Sequence, residues 1–181
     1  MNTDTNSIND IEVNIVEKGI EGEQAFINFL NEERIGFYKI DQSIDSYPAT
    51  FKLDDGTIIK RPDFIIFFAA LSETFVEVKN VTLTKNPVNG VFEATICCAD
   101  VEKLIAFENA CLKRVWYAVR EENSWLWLRV SDVVPNSKIR TNRVDRSQFH
   151  AIPRHAFREI TSRASLVEML TETNFQITKA A

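Results

Sequence analysis

The segment Thr74-Phe75-Val76-Glu77-Val78-Lys79 has the residue pattern of a strand, and it carries an acid and a base two positions apart. Side chains alternate across a strand, so Val76 and Val78 share one face while Phe75, Glu77 and Lys79 share the other. Charges on a strand otherwise suited to burial are costly unless they are paired or hold a metal ion. Asp63 opens the apolar run that ends at Phe68. With that run as the antiparallel neighbour, Asp63 lies close to Glu77. Asp63, Glu77 and the carbonyl of Val78 make an oxygen set of the kind Mg²⁺ takes, completed by water and a phosphate. A metal held there lowers the pKa of a bound water and polarises the phosphate. The Lys79 ammonium would hold the attacking water or offset charge growing on the phosphate. Such phosphate-ester hydrolysis needs no nucleophilic side chain. The same spacing also suits a plain ion pair across an exposed hairpin, and short patterns of this kind arise by chance.

A third acid comes from the first helix. Glu23, Phe26, Ile27 and Leu30 fall at i, i+3, i+4 and i+7, with Ile20 one turn earlier. Glu23 is therefore expected inside the apolar stripe, able to reach the same metal directly or through water. Glu21 shares its face with Gln24, Ala25 and Asn28 and is expected in solvent. The alternative for Glu23 is a place at the edge of the stripe near the helix start, where the macrodipole favours an acid.

These pieces resemble the PD-(D/E)xK nuclease superfamily, which includes many restriction endonucleases and archaeal-type Holliday junction resolvases. The matching segments are GEQAFINFL with Glu23, RPDFIIF with Asp63, and FVEVKN with Glu77 and Lys79. The resemblance spans about Lys18 to Arg120. It implies an α/β fold with a restriction endonuclease-like mixed central sheet flanked by helices, in the order α-β-β-β-α-β. It also implies Mg²⁺, with Mn²⁺ as a substitute, and DNA as substrate. Asp63 and Glu77 would be metal ligands, Lys79 the residue that positions water, and Glu23 the accessory acid. Two rivals stay open. The nuclease fold could be idle and bind DNA or a protein partner, or the chain could be one part of a larger assembly. A homodimer would suit paired cuts in DNA.

The elements that must position these residues follow from periodicity and breakers. Residues 1–10 read as a disordered tail, and 11–181 as a single domain with 131–181 as a C-terminal extension. A helix is expected from Ile11 to Glu33, interrupted near Gly19 and Gly22 and stopped by Gly36. Strands are expected at Phe37–Ile40, Asp63–Phe68, Thr74–Lys79, Val115–Val119 and Trp125–Val130. A hairpin is expected around Asp54-Asp55-Gly56, flanked by Thr50–Leu53 and Thr57–Lys60. Glu93 to Arg114 reads as a second long helix. The polar, basic stretch up to Arg146 reads as a loop. A short helix is expected near His155 to Ile160 and a last one at Ser165–Thr173.

Composition sets limits. The chain has 181 residues, 45% of them hydrophobic, enough for a sizeable core. No apolar run approaches the roughly 20 residues of a membrane span, and the N-terminus lacks a signal-peptide pattern. A cytoplasmic protein with no membrane partner is the expectation. The net charge of −5 argues against unspecific nucleic-acid binding, but charge is unevenly spread. Residues 1–33 carry net −7 and residues 131–163 net +4. Lys85, Lys103, Arg140, Arg143 and Arg146 are candidate phosphate contacts, although each taken singly reads rather as solvated surface charge. Cys97, Cys98 and Cys111 lack metal or disulfide spacing and read as buried thiols in a helix. His150 and His155 read as surface or interface residues. Trp125 and Trp127 share a strand face that could stack bases, but they read rather as core or subunit-packing residues. The segment Gly19-Ile20-Glu21-Gly22 lacks the Lys-Ser/Thr ending of a phosphate loop.

Overall fold

Gly22, Phe26 and Leu30 recur every four residues and are all buried, which gives the first helix one narrow core-facing ridge. The structure is a computed structural model and describes residues 5–41, 49–69 and 72–178. Helix α1, Thr5–Glu32, is continuous. The tail expected over residues 1–10 is thus helix from Thr5 onward, and the expected interruption at Gly19 and Gly22 is absent. Ile20 is 61% exposed and lies off the stripe. The helix stops before Gly36. Arg34 takes the left-handed conformation (φ 53), Ile35 N donates to Leu30 O at 2.8 Å, and Arg34 N donates to Asn31 O at 3.1 Å. That is a Schellman ending, closed by apolar contact between Ile35 and Leu30 in the same core.

Among the described residues twelve strands follow: β1 Gly36–Lys39, β2 Thr50–Lys52, β3 Ile58–Lys60, β4 Phe64–Ala69, β5 Ser72–Lys79, β6 Thr84–Lys85, β7 Phe92–Cys97, β8 Val115–Glu121, β9 Ser124–Arg129, β10 Lys138–Thr141, β11 Gln148–Pro153 and β12 Arg158–Ile160. Helix α2, Cys98–Cys111, lies between β7 and β8, and helix α3, Arg163–Thr178, ends the described chain. The central sheet has the order β1-β4-β5-β8-β9-β12. Only β5 and β8 pair in parallel within it; the other neighbours are antiparallel. A parallel pair needs a long crossover, and residues 80–114, with α2, supply it. The helix, three antiparallel strands, crossover helix and parallel fourth strand give the expected α-β-β-β-α-β core. β2 and β3 form the expected hairpin, and a second sheet has the order β10-β11-β7-β6.

The central sheet is buried on both faces. Val76, Val78, Trp116, Ala118, Trp125 and Trp127 pack against Phe26 and Leu30 of α1. Tyr117, Val119, Leu126 and Leu128 pack on the other face with Val101, Leu104 and Phe107 of α2 and with Ala94, Ile96 and Ile152 of the second sheet.

Three expectations need correction here. The long helix over Glu93–Arg114 is a strand followed by a shorter helix, because Ala94, Ile96 and the β-branched Thr95 pair with β11. The basic loop up to Arg146 contains β10, which pairs with β11. The short helix near His155–Ile160 is a single 3-10 turn, Arg154–Ala156, followed by the edge strand β12. The cysteines also differ from expectation: Cys98 is buried at the start of α2, whereas Cys97 and Cys111 are exposed. His150 is buried on β11, with Nδ1 2.7 Å from Ser137 Oγ, whereas His155 is exposed. Trp125 and Trp127 lie in the core as expected.

Candidate functional site

β4 and β5 begin their register at Phe64 opposite Val76, so Asp63 stands just outside the ladder, beside Glu77. Its backbone N still donates to Val76 O at 3.0 Å. Its side chain turns back onto β5, where Oδ2 accepts the Val78 amide at 2.8 Å. Glu77 is 1% exposed and Asp63 8%. Burial first, and then the neighbouring Glu77 carboxylate, raise the Asp63 pKa well above the usual carboxylate range, against the opposing pull of the Val78 amide and two lysines.

Glu77 Oε1 carries two ammonium groups. Lys79 Nζ lies at 2.8 Å and Lys60 Nζ at 2.5 Å. Both also approach Asp100 Oδ2, Lys79 at 3.0 Å and Lys60 at 3.5 Å. Burial alone would lower the Lys79 pKa, but Glu77 and Asp100 outweigh it and hold the amine firmly protonated. The same two lysines overcome burial at Asp100 and depress its pKa. Tyr117, the parallel register partner of Glu77, is fully buried on the same side of the sheet.

Asp63, Glu77, Lys79 and Lys60 line one cleft of about 570 Å³, together with Glu23, Gly19, Asn80 and Thr95. The strand alternation read from the sequence thus brings Asp63, Glu77 and Lys79 together. Glu23 lines the same cleft, but its carboxylate is engaged with Lys39 at 2.7 Å and its side chain is 27% exposed. It sits at the rim of the helix stripe, not in the core. Glu21 is at the surface, paired with Arg120 at 2.7 Å. Gly22 brings α1 close to the strand end: a Cβ there would lie 2.6 Å from Asn80 Cβ. Asn80 donates through Nδ2 to Lys18 O at 2.9 Å, which ties the residue after Lys79 to the helix.

Lys60 and Asp100 were not singled out in the sequence. Lys60 looked like the last residue of a surface hairpin, and Asp100 fell inside an expected helix with no periodic reason to face the strand. The signal for Lys60 was its position three residues before Asp63, on an arm anchored by the buried Ile59.

The residues present fit a hard divalent cation. Glu77 Oε2 is buried with no hydrogen-bond partner, beside a second carboxylate and the backbone of Val78. A bare carboxylate oxygen in such a place is costly unless a cation meets it. Among the described residues no three His, Cys, Asp or Glu side chains are grouped to hold an ion. An ion here would therefore take two carboxylates and complete its shell with carbonyl, water and phosphate oxygens, as Mg²⁺ does.

The five expected phosphate contacts lie elsewhere, and Lys103 is half-buried on α2. Lys85 is exposed on β6 at one edge of the second sheet. Arg140 is on β10 at the other edge, bound to Glu93 at 2.7 Å. Arg143 and Arg146 are exposed in the turn between β10 and β11, where Arg146 has φ 62. None of them lines the cleft. Thr95, on β7 of that sheet, does.

No protein-family model matches this sequence, and no curated protein sequence matches it. Solved structures similar to it include two nucleases. One is Hjc, a Holliday junction resolvase from the archaeal hyperthermophile Archaeoglobus fulgidus, at 13% identity and a TM-score of 0.46, covering 77% of this chain and 91% of that one. The other is a nuclease from a fusselovirus, at 12% identity and a TM-score of 0.47, covering 90% of this chain and 96% of that one. The likeness is one of chain path and assigns no residue a role.

Proposed function

We propose that this chain is a Mg²⁺-dependent endonuclease that hydrolyses DNA phosphodiester bonds through a metal-activated water. The observation that carries the reading is the pair of adjacent buried carboxylates, Asp63 and Glu77, in the cleft that Lys79 also lines, with Glu77 Oε2 buried and unpartnered. Asp63, Glu77 and the Val78 carbonyl would hold the ion. Bound there, it would acidify a water and polarise the phosphate. Lys79 would orient that water and offset phosphate charge. Glu23, released from Lys39, would act at the rim as accessory acid. Lys85, Arg140, Arg143 and Arg146 would steady the DNA backbone away from the cut, which makes binding salt-dependent.

The test is a panel of branched and linear DNA substrates incubated with and without Mg²⁺ or Mn²⁺. Cleavage that requires the metal and vanishes in Glu77→Gln supports the reading. Metal-independent cleavage, or full activity in Glu77→Gln, sinks it.

A second reading has an observation in its favour. Lys60, Lys79, Glu77 and Asp100 are mutually paired, which also suits an idle fold that binds DNA or a protein partner. Undisturbed DNA binding with no cleavage of any substrate in either metal would select it.

A further inference from the structure

Lys60 reaches Glu77 from outside the central sheet. It ends β3, whose hairpin partner is β2 alone. The arm is not loose. Ile59 is 2% exposed and packs in the core beneath α2, and Arg61 N donates to Ala49 O at 3.0 Å. The Lys60 side chain is 15% exposed and Glu77 1%. Two ammonium groups therefore crowd one oxygen of a carboxylate whose other oxygen is buried and unpartnered. Asp100, in the first turn of α2, stands beside both as a second acceptor.

An ammonium and a divalent cation draw on the same negative charge. Charge already offset by a lysine attracts a metal less, and the effect is strong where water is excluded. Asp100 acts in the opposite sense. It gives both lysines a second carboxylate to bind, so that a lysine displaced from Glu77 keeps a partner.

We propose that Lys60 and Asp100 are positioning residues that set the metal affinity of the site: Lys60 competes with the divalent cation for Glu77, and Asp100 draws the lysines off it. This rests on the reading of Asp63 and Glu77 as metal ligands. It assigns a working role to the β2–β3 hairpin, which lies outside the strands that carry the motif residues. The hairpin delivers a charge that tunes the carboxylate.

The two residues have opposite signs, and that makes the idea testable without any cleavage assay. Mn²⁺ alone is titrated calorimetrically into the full chain, with folding of each variant checked by circular dichroism. Lys60→Met is expected to tighten Mn²⁺ binding by on the order of tenfold. Lys60→Arg keeps the charge and is expected to stay near wild type. Asp100→Asn leaves the lysines on Glu77 and is expected to weaken binding severalfold. A merely structural role predicts weakening in both Lys60→Met and Asp100→Asn. Unchanged or weaker binding in Lys60→Met, or tighter binding in Asp100→Asn, overturns the proposal. Wild-type protein that binds no Mn²⁺ at all overturns the metal-site reading itself, which separates the two failures.

Discussion

Asp63 Oδ2 accepts the backbone amide of Val78 at 2.8 Å, across the two strands that carry the site. The bond turns the Asp63 carboxyl toward the C-terminal end of β5 and holds it beside Glu77. It also allows charge and geometry to be varied separately. An asparagine at this position can still accept the Val78 amide through its side-chain carbonyl, but it carries no charge. Asp63→Asn should therefore fold normally and lose metal-dependent cleavage, and Glu77→Gln should do the same. The checks are cooperative urea unfolding and a nicking assay in Mg²⁺. A folded Asp63→Asn protein with wild-type cleavage would remove Asp63 from the mechanism.

The two glycines of α1 should respond in opposite directions. A Cβ at Gly19 meets nothing within 4 Å, whereas one at Gly22 would lie 2.6 Å from Asn80 Cβ. Alanine in place of a helical glycine contributes about 1 kcal/mol of stability when nothing obstructs it. An overpacked contact costs about 1–3 kcal/mol. Gly19→Ala should raise the urea midpoint. Gly22→Ala should lower it, and should also slow cleavage by pushing Asn80, next to Lys79, away from the helix. Equal and positive shifts at both positions would mean that the close approach of α1 to β5 carries no energetic weight.

Strand β5 was legible in the sequence because its period is two and its faces differ so plainly. Glu77 and Lys79 had to lie together, and they do. The helix stripe was legible in part. Phe26 and Leu30 are core, but the 3.6-residue count could not tell the centre of the stripe from its rim, so Glu23 looked deeper than it is and Ile20 looked buried. The segment after Val91 misled for a physical reason. Phe92–Cys97 runs directly into α2, and what makes it a strand is pairing with β11, more than 50 residues downstream. Lys60 and Asp100 were illegible because their roles depend on how the hairpin and α2 pack, which no local pattern records.

Burial lowers the pKa of His150, with Glu102 opposing. A histidine whose folded pKa is depressed binds its proton more readily when unfolded. The unfolded state then gains protons as pH falls below the ordinary histidine value of about 6.5, and stability drops until the folded form is protonated as well. The unfolding free energy should therefore fall between pH 7 and pH 5. His150→Asn can keep a hydrogen bond to Ser137 but cannot titrate, so its slope over that interval should be shallower. Parallel slopes for the two proteins would assign the acid sensitivity to other groups.

Lys79 separates chemistry from metal binding. Its ammonium touches Glu77 and Asp100 but is not an oxygen donor, so an ion can bind without it. Lys79→Ala removes the group that would orient the water and offset phosphate charge. Loss of a single preorganised electrostatic donor typically lowers kcat by about 100–1,000-fold, and a drop of that size is expected here. Mn²⁺ binding should persist, and should tighten, because one of the two cations on Glu77 Oε1 is gone. The KM for DNA should move little if Lys79 acts mainly at the transition state. The decisive comparison is therefore between the two measurements on one variant. Slow cleavage with intact metal binding places Lys79 in the chemical step, whereas loss of metal binding would make it a structural support for Glu77.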